Sequence, residues 1–169
     1  MDLLFAPVVA CLQGWIQFNS DCYLLVKEVT KNWTDAEVDC LDRNSELLNI
    51  LTSAEDQFIF FEILNKSMVY EAFIGLRESG HFLASFTQWS NEANIGFTNW
   101  QGGSPGIASG YTSCAVKMGN DNSGQWALRD CALPKPYICK RKGASIMNSF
   151  LALLSGLKRT ENGFKKSFF

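Results

Sequence analysis

The sequence predicts an α+β module cross-linked by disulfides: two helices, then short antiparallel strands around a long irregular loop. Three observations carry that expectation. Six cysteines stand at positions 11, 22, 40, 114, 131 and 139. Two helix-start signatures fall between Thr34 and Asp56. From Thr87 to Ser113 the chain is rich in Gly, Ser, Asn and Trp, with few helix or strand signals. Such a stretch is uncommon inside a compact domain and, where it occurs, is often a binding loop.

The elements follow in order. Cys22-Tyr23-Leu24-Leu25-Val26 is aromatic and apolar and reads as a strand. Thr34-Asp35-Ala36-Glu37 fits a capping box, so a helix is expected from there to about Arg43. Ala36 and Cys40 turn inward on it, with Val38 and Leu41 as further candidates. Ser53-Ala54-Glu55-Asp56 starts a second helix, its acids suiting the positive helix end. That helix carries Phe58, Ile59, Phe61 or Glu62, and Leu64 in a broad apolar stripe. Phe73-Ile74-Gly75-Leu76, Cys114 to Met118, Gly124 to Leu128 and Tyr137 to Lys140 read as strands.

An apolar fraction of 47% and an aromatic fraction of 13% supply a real core. The net charge of −2 lacks the basic footprint of a nucleic-acid binder. An even cysteine count in a chain this small favours disulfides and an oxidising compartment, and spacing alone leaves about 15 connectivities. No two cysteines are close enough for a zinc site, and His81 is the only histidine. No hydrolase, phosphate-loop or zinc-hydrolase motif occurs, so no enzyme is expected, and His81 beside Gly80 reads as a surface turn residue. No segment reaches the length of a membrane span. Two sequons, Asn32-Trp33-Thr34 and Asn65-Lys66-Ser67, fit a secreted glycoprotein, with Asn65 the better placed.

These residues are similar to the C-type lectin domain family over about residues 11–141. The match lies in order and spacing: Cys11…Gly14-Trp15…Cys22-Tyr23; Trp33…Ala36-Glu37…Cys40; Leu47-Leu48-Asn49-Ile50; Phe73-Ile74-Gly75-Leu76; Trp89-Ser90-Asn91…Phe97…Trp100…Gly103; and Cys114, Gly124, Trp126, Cys131 and Pro136-Tyr137-Ile138-Cys139. The resemblance implies the C-type-lectin fold and the pairs Cys40–Cys139, Cys114–Cys131 and, for the long form, Cys11–Cys22. It also implies that Trp89, Trp100 and Trp126 belong to the core.

The resemblance further implies where calcium would bind, and there the sequence departs. Sugar-binding members place carboxylates and carboxamides in the long loop. The matching positions here are Ser104-Pro105-Gly106, Thr112 and Ala127-Leu128. Calcium needs six to eight oxygen ligands, several of them charged, so no metal and no cofactor is expected. Asp121-Asn122 reads as a turn and Asp130 as a surface contact.

The expected function is extracellular recognition of a glycan or protein ligand without calcium. Gln101, Ser104, Tyr111, Asn120, Asp121 and Arg129 are the candidate contacts. The alternatives are a calcium-dependent lectin with non-standard ligands, or a structural or self-associating module. Residues 11–142 form the domain. Residues 1–10 read as a signal remnant or as a first strand. Residues 143–169 carry +3 from Lys158, Arg159, Lys165 and Lys166 against Glu161. They are open to two readings: a loosely attached extension, or a weak membrane contact by 146–169.

Overall fold

The computed structural model describes residues 9–78, 88–103, 105, 112–120 and 123–145. The element order is β1 (Val9–Ala10), β2 (Ile16–Phe18), β3 (Asp21–Lys31), α1 (Trp33–Asp42), β4 (Glu46–Leu47), α2 (Ser53–Phe58), β5 (Glu71–Arg77), β6 (Ser113–Met118), β7 (Trp126–Asp130), β8 (Lys135–Lys142) and β9 (Ala144–Ser145). Six of the strands run side by side in one sheet in the order β2-β3-β8-β5-β6-β7, and β4 adds to β8. All these pairings are antiparallel except a parallel contact of Phe73 with Tyr137. β1 and β9 pair separately, so the two ends of the domain clasp each other.

The central strands are buried on both faces, which is why they read as continuous apolar runs. Period-2 alternation then divides their side chains between two cores. Phe73, Cys114, Val116, Tyr137 and Cys139 turn toward Trp33, Ala36 and Cys40 of α1. Ala72, Ile74, Leu76, Ala115 and Ile138 turn toward Ile59, Ile63 and the three tryptophans Trp89, Trp100 and Trp126. Gly75 is required on β5. A Cβ there would lie 2.8 Å from the Leu47 carbonyl, where the Gly75 N–H instead bonds Leu48 O at 2.8 Å.

Both helices start earlier than the sequence signals suggested. Asn32, not Thr34, caps α1: its Oδ1 accepts the Asp35 N–H at 2.9 Å. The reason is that Trp33 is drawn into the helix, with its indole N–H on Ile74 O at 2.9 Å and its backbone N–H on Cys131 O at 3.0 Å. Ala36 and Cys40 are buried as expected, but Val38 and Leu41 face solvent. Thr52 caps α2 by accepting the Glu55 N–H at 3.2 Å. The helix then passes into a π-helical turn, Ile59–Asn65. The wider turn shifts the buried stripe, so Ile63 and Leu64 pack inward and Phe61 points out at 56% exposure.

The disulfides are Cys11–Cys22, Cys40–Cys139 and Cys114–Cys131, the pairing that the resemblance implies. Cys40–Cys139 spans 99 residues and ties α1 to β8. By loop-closure entropy it contributes about 4.7 kcal/mol, before any strain. Cys114–Cys131 spans 17 and locks β6 to the end of β7, for about 3 kcal/mol.

Candidate functional site

The long loop is held from beneath by aromatic packing. Trp126 of β7 is fully buried, and three rings stand edge-on around it: Trp89 at 5.5 Å, Phe97 at 5.9 Å and Trp100 at 5.4 Å. Edge-to-face contacts of this kind add about 0.5–1.5 kcal/mol each beyond their buried area. The backbone joins in, since the Trp126 N–H donates to Asn99 O at 2.7 Å. The first part of the loop, from Trp89 to Trp100, is therefore fixed to one strand.

Below the tryptophans lies a charged hub. The Lys117 ammonium, with no exposed side-chain surface, sits 2.8 Å from Asp56 Oδ1 and also donates to the Gly124 carbonyl. Asp56 Oδ1 accepts the Trp126 indole N–H at 2.8 Å, and its Oδ2 accepts from Asn99 Nδ2 at 2.8 Å. The ring of Phe60 lies 5.8 Å from the ammonium. Five segments thus meet at one ion pair: α2 at Asp56, the loop at Asn99, β6 at Lys117, the β6–β7 connection at Gly124 and β7 at Trp126. Burial pulls the Lys117 pKa down, and Asp56 pulls against it. The chain's alternation contains this feature, because Lys117 lies in phase with the inward-facing Ala115 on a strand covered on both sides. Sequence reasoning missed it because a lysine is rarely fully buried, and the strand reading of Cys114 to Met118 gave Lys117 no role.

A second buried pair anchors the other side of α2. Glu55 accepts the Tyr23 hydroxyl at 2.7 Å and the Leu51 N–H at 2.9 Å, and pairs with Lys140 at 2.6 Å. Burial, then the Glu55 hydrogen bond, pushes the Tyr23 phenol well above its ordinary range, so it remains a donor.

The sequence-predicted contact residues fall in different places. Gln101 is exposed in the turn Gln101–Gly103, directly after the anchored Trp100. Asn120 is exposed at the end of β6 and tied to the π-helical turn by its backbone N–H on Asn65 Oδ1 at 2.8 Å. Arg129 lies on the sheet, held by Glu71 at 2.8 Å and by the Leu128 carbonyl at 2.8 Å. Lys135 completes that cluster at 2.5 Å from Glu71. Ser104, Tyr111, Asp121, Asn122 and His81 lie outside the described residues. Asp130 closes a turn by accepting the Ala132 N–H at 2.9 Å.

The calcium test is one of donor chemistry. Of the positions where the family's ligands would stand, Ala127 is buried and apolar, Leu128 is apolar, and Thr112 is an exposed hydroxyl. The nearby buried carboxylate, Asp56, is already neutralised by Lys117. These residues do not fit a calcium ion, which demands several carboxylate oxygens. Among the described residues no three His, Cys, Asp or Glu side chains converge as a metal site.

The geometry defines a disulfide-clamped α+β domain with a tryptophan-anchored loop set on its sheet. The chain matches the Lectin C-type domain over residues 29–141 and belongs to the C-type lectin domain family. It is 33% identical over 149 residues to the secretory phospholipase A2 receptor of Oryctolagus cuniculus, covering 88% of this chain and 10% of the receptor. The chain thus spans about a tenth of that relative's length. Among solved structures it resembles the mouse scavenger receptor C-type lectin carbohydrate-recognition domain, with a TM-score of 0.68 at 24% identity over 80% of this chain and 98% of that one. It also resembles the C-type lectin domain of murine dendritic cell inhibitory receptor 2, solved in complex with an N-glycan, with a TM-score of 0.66 at 25% identity over 79% of this chain and 99% of that one. No helix among the described residues is long and apolar enough to cross a membrane.

Proposed function

We propose that this C-type lectin-like domain recognises its ligand without calcium. The observation that carries this reading is the Lys117–Asp56 ion pair, which joins α2, β6, Asn99 and the Trp126 indole under the loop. An internal ammonium supplies the positive charge that organises oxygen donors at the loop's base. The loop's upper surface is then free to bind through hydrogen bonds and aromatic contacts rather than through a metal.

A glycan is the favoured ligand, supported by the likeness to a domain solved with an N-glycan. A protein ligand is the second reading. Gln101 and Asn120, with Ser104, Tyr111 and Asp121, are the proposed contacts, and Arg129 supports the sheet through Glu71. The domain binds and does not catalyse. It works in a secreted or cell-surface setting, a reading supported by its three disulfides.

A glycan array probed with the whole chain tests this. Binding retained in excess chelator, and weakened by Gln101→Ala or Asn120→Ala, supports the reading. Binding seen only with added calcium refutes it.

A further inference from the structure

The π-helical turn Ile59–Asn65 closes in a way that shows apolar side chains to solvent. The Val69 N–H donates to Leu64 O at 3.0 Å and the Met68 N–H to Asn65 O at 3.1 Å, the paired bonds of a Schellman C-terminus. Met68 takes the left-handed position of that motif, with a φ of 55°. Glycine or asparagine ordinarily stands there, because other side chains at positive φ cost stability. Met68 is nevertheless 74% exposed, Tyr70 68% and Phe61 56%. Apolar residues exposed singly are ordinary, but three between positions 61 and 70 form a cluster that calls for a cover.

Asn65 stands in the middle of this cluster and opens the sequon Asn65-Lys66-Ser67. Phe61 lies about one turn before it on the same side of the helical segment, where side chains lean back toward the N-terminus. On the other side, the Gly119 N–H donates to Tyr70 O at 2.7 Å and the Asn120 N–H to Asn65 Oδ1 at 2.8 Å. These bonds set Asn65 and Tyr70 beside the same end of β6. Asn65 is engaged there through its oxygen. An amide that gains a sugar at nitrogen keeps its carbonyl, so Asn65 can carry a glycan with the bond to Asn120 intact. Ser67 is held by its backbone, with its N–H on Ile63 O at 3.2 Å and its carbonyl accepting from Lys27 Nζ at 3.4 Å.

We propose that Asn65 carries an N-linked glycan whose first sugars lie over Phe61 and cover the apolar cluster of Phe61, Met68 and Tyr70. In forming it, Asn65 Nδ2 gives up one hydrogen and bonds C1 of a sugar supplied by a lipid-pyrophosphate-linked oligosaccharide. The C1–O bond of that donor breaks, and the lipid pyrophosphate leaves with the proton. A pyranose ring presents a face of C–H bonds, which packs on the negative face of an aromatic ring. Its hydroxyls then meet water in place of the apolar side chains. The inference rests on the secreted setting proposed above, because this modification belongs to secreted proteins.

Expression of the whole chain in a secreting host, as the unaltered sequence, Ser67→Ala, Phe61→Ser and the double variant, tests the proposal. Ser67→Ala removes the sequon and leaves the Asn65 side chain in place. Peptide mapping of the unaltered chain should find glycan on Asn65. Its loss in Ser67→Ala should lower the thermal unfolding midpoint by roughly 2–4 °C, the shift expected from one contact of ordinary strength in a chain of this size. In the Phe61→Ser background the same loss should move the midpoint far less, because the ring that the sugar covers is gone. A disulfide-bonded chain with bare Asn65, an unmoved midpoint in Ser67→Ala, or an equal fall in both backgrounds would overturn the proposal and leave the secreted setting standing. A chain recovered with free thiols would overturn both.

Discussion

Replacing Lys117 with methionine is the sharpest perturbation the structure offers. The substitution keeps the volume of the side chain and removes only its charge and hydrogen bonds. Asp56, 4% exposed, then keeps the Trp126 and Asn99 donors but loses the cation 2.8 Å away. Stranding one member of a buried ion pair costs about 3–5 kcal/mol. The Gly124 carbonyl retains a weaker donor, Asn99 Nδ2 at 3.3 Å, so little is added there. In Lys117→Met/Asp56→Asn the stranded charge is gone and the amide oxygen still accepts the indole N–H. The loss should shrink to about 1–2 kcal/mol, that of imperfect hydrogen bonding. The double variant should therefore be about 2–3 kcal/mol more stable than Lys117→Met alone, measured by denaturant unfolding at neutral pH with the disulfides intact. A single-variant loss below about 1 kcal/mol, or a double variant as weak as the sum of the two singles, would refute the hub.

Other perturbations follow from the same contacts. Burial raises the Asp39 carboxyl, but hydrogen bonds from Arg43 and Tyr137 outweigh it and hold the group below its ordinary value. That stabilisation is complete above the unfolded carboxyl's pKa and is lost as pH falls through the folded one. Asp39→Asn should therefore flatten the loss of stability below about pH 4, as read from unfolding midpoints across acid pH. Gly124 holds a φ of +59°, and a Cβ there would lie 2.8 Å from the Phe60 ring. Gly124→Ala should cost about 1–3 kcal/mol in the same denaturant assay. Asn32 spends its amide nitrogen on Asp35 at 2.8 Å, while Asn65 is engaged through its oxygen. Peptide mapping of protein from a secreting host should find glycan at Asn65 rather than at Asn32.

The fold was legible because its main determinants are local patterns or covalent links. Cys40 lies on an inward helical position, and the alternating strands around Cys114 and Cys139 needed no tertiary information to be seen as buried. The start of α1 was displaced because Trp33 gains a hydrogen bond to Ile74, 41 residues away, that no local capping rule contains. Phe61 was misplaced because a π-helical turn breaks the 3.6-residue period. The candidate site was read less fully. Gln101 and Asn120 stand exposed as a polar loop implies, yet Arg129 is taken by Glu71, a partner 58 residues away. The Lys117–Asp56 pair joins residues whose types usually mark a surface. Only the phase of Lys117 with Ala115 signalled it.

Unfolding of the chelator-treated whole chain, repeated with millimolar calcium, bears most directly on the claim that an ammonium does the organising here. The predicted result is the same midpoint in both conditions and no heat of binding in a matched calorimetric titration. A domain that holds calcium with micromolar affinity would instead gain roughly 4 kcal/mol at a thousandfold excess over its Kd. A shift of that size, retained in Lys117→Met, would contradict it.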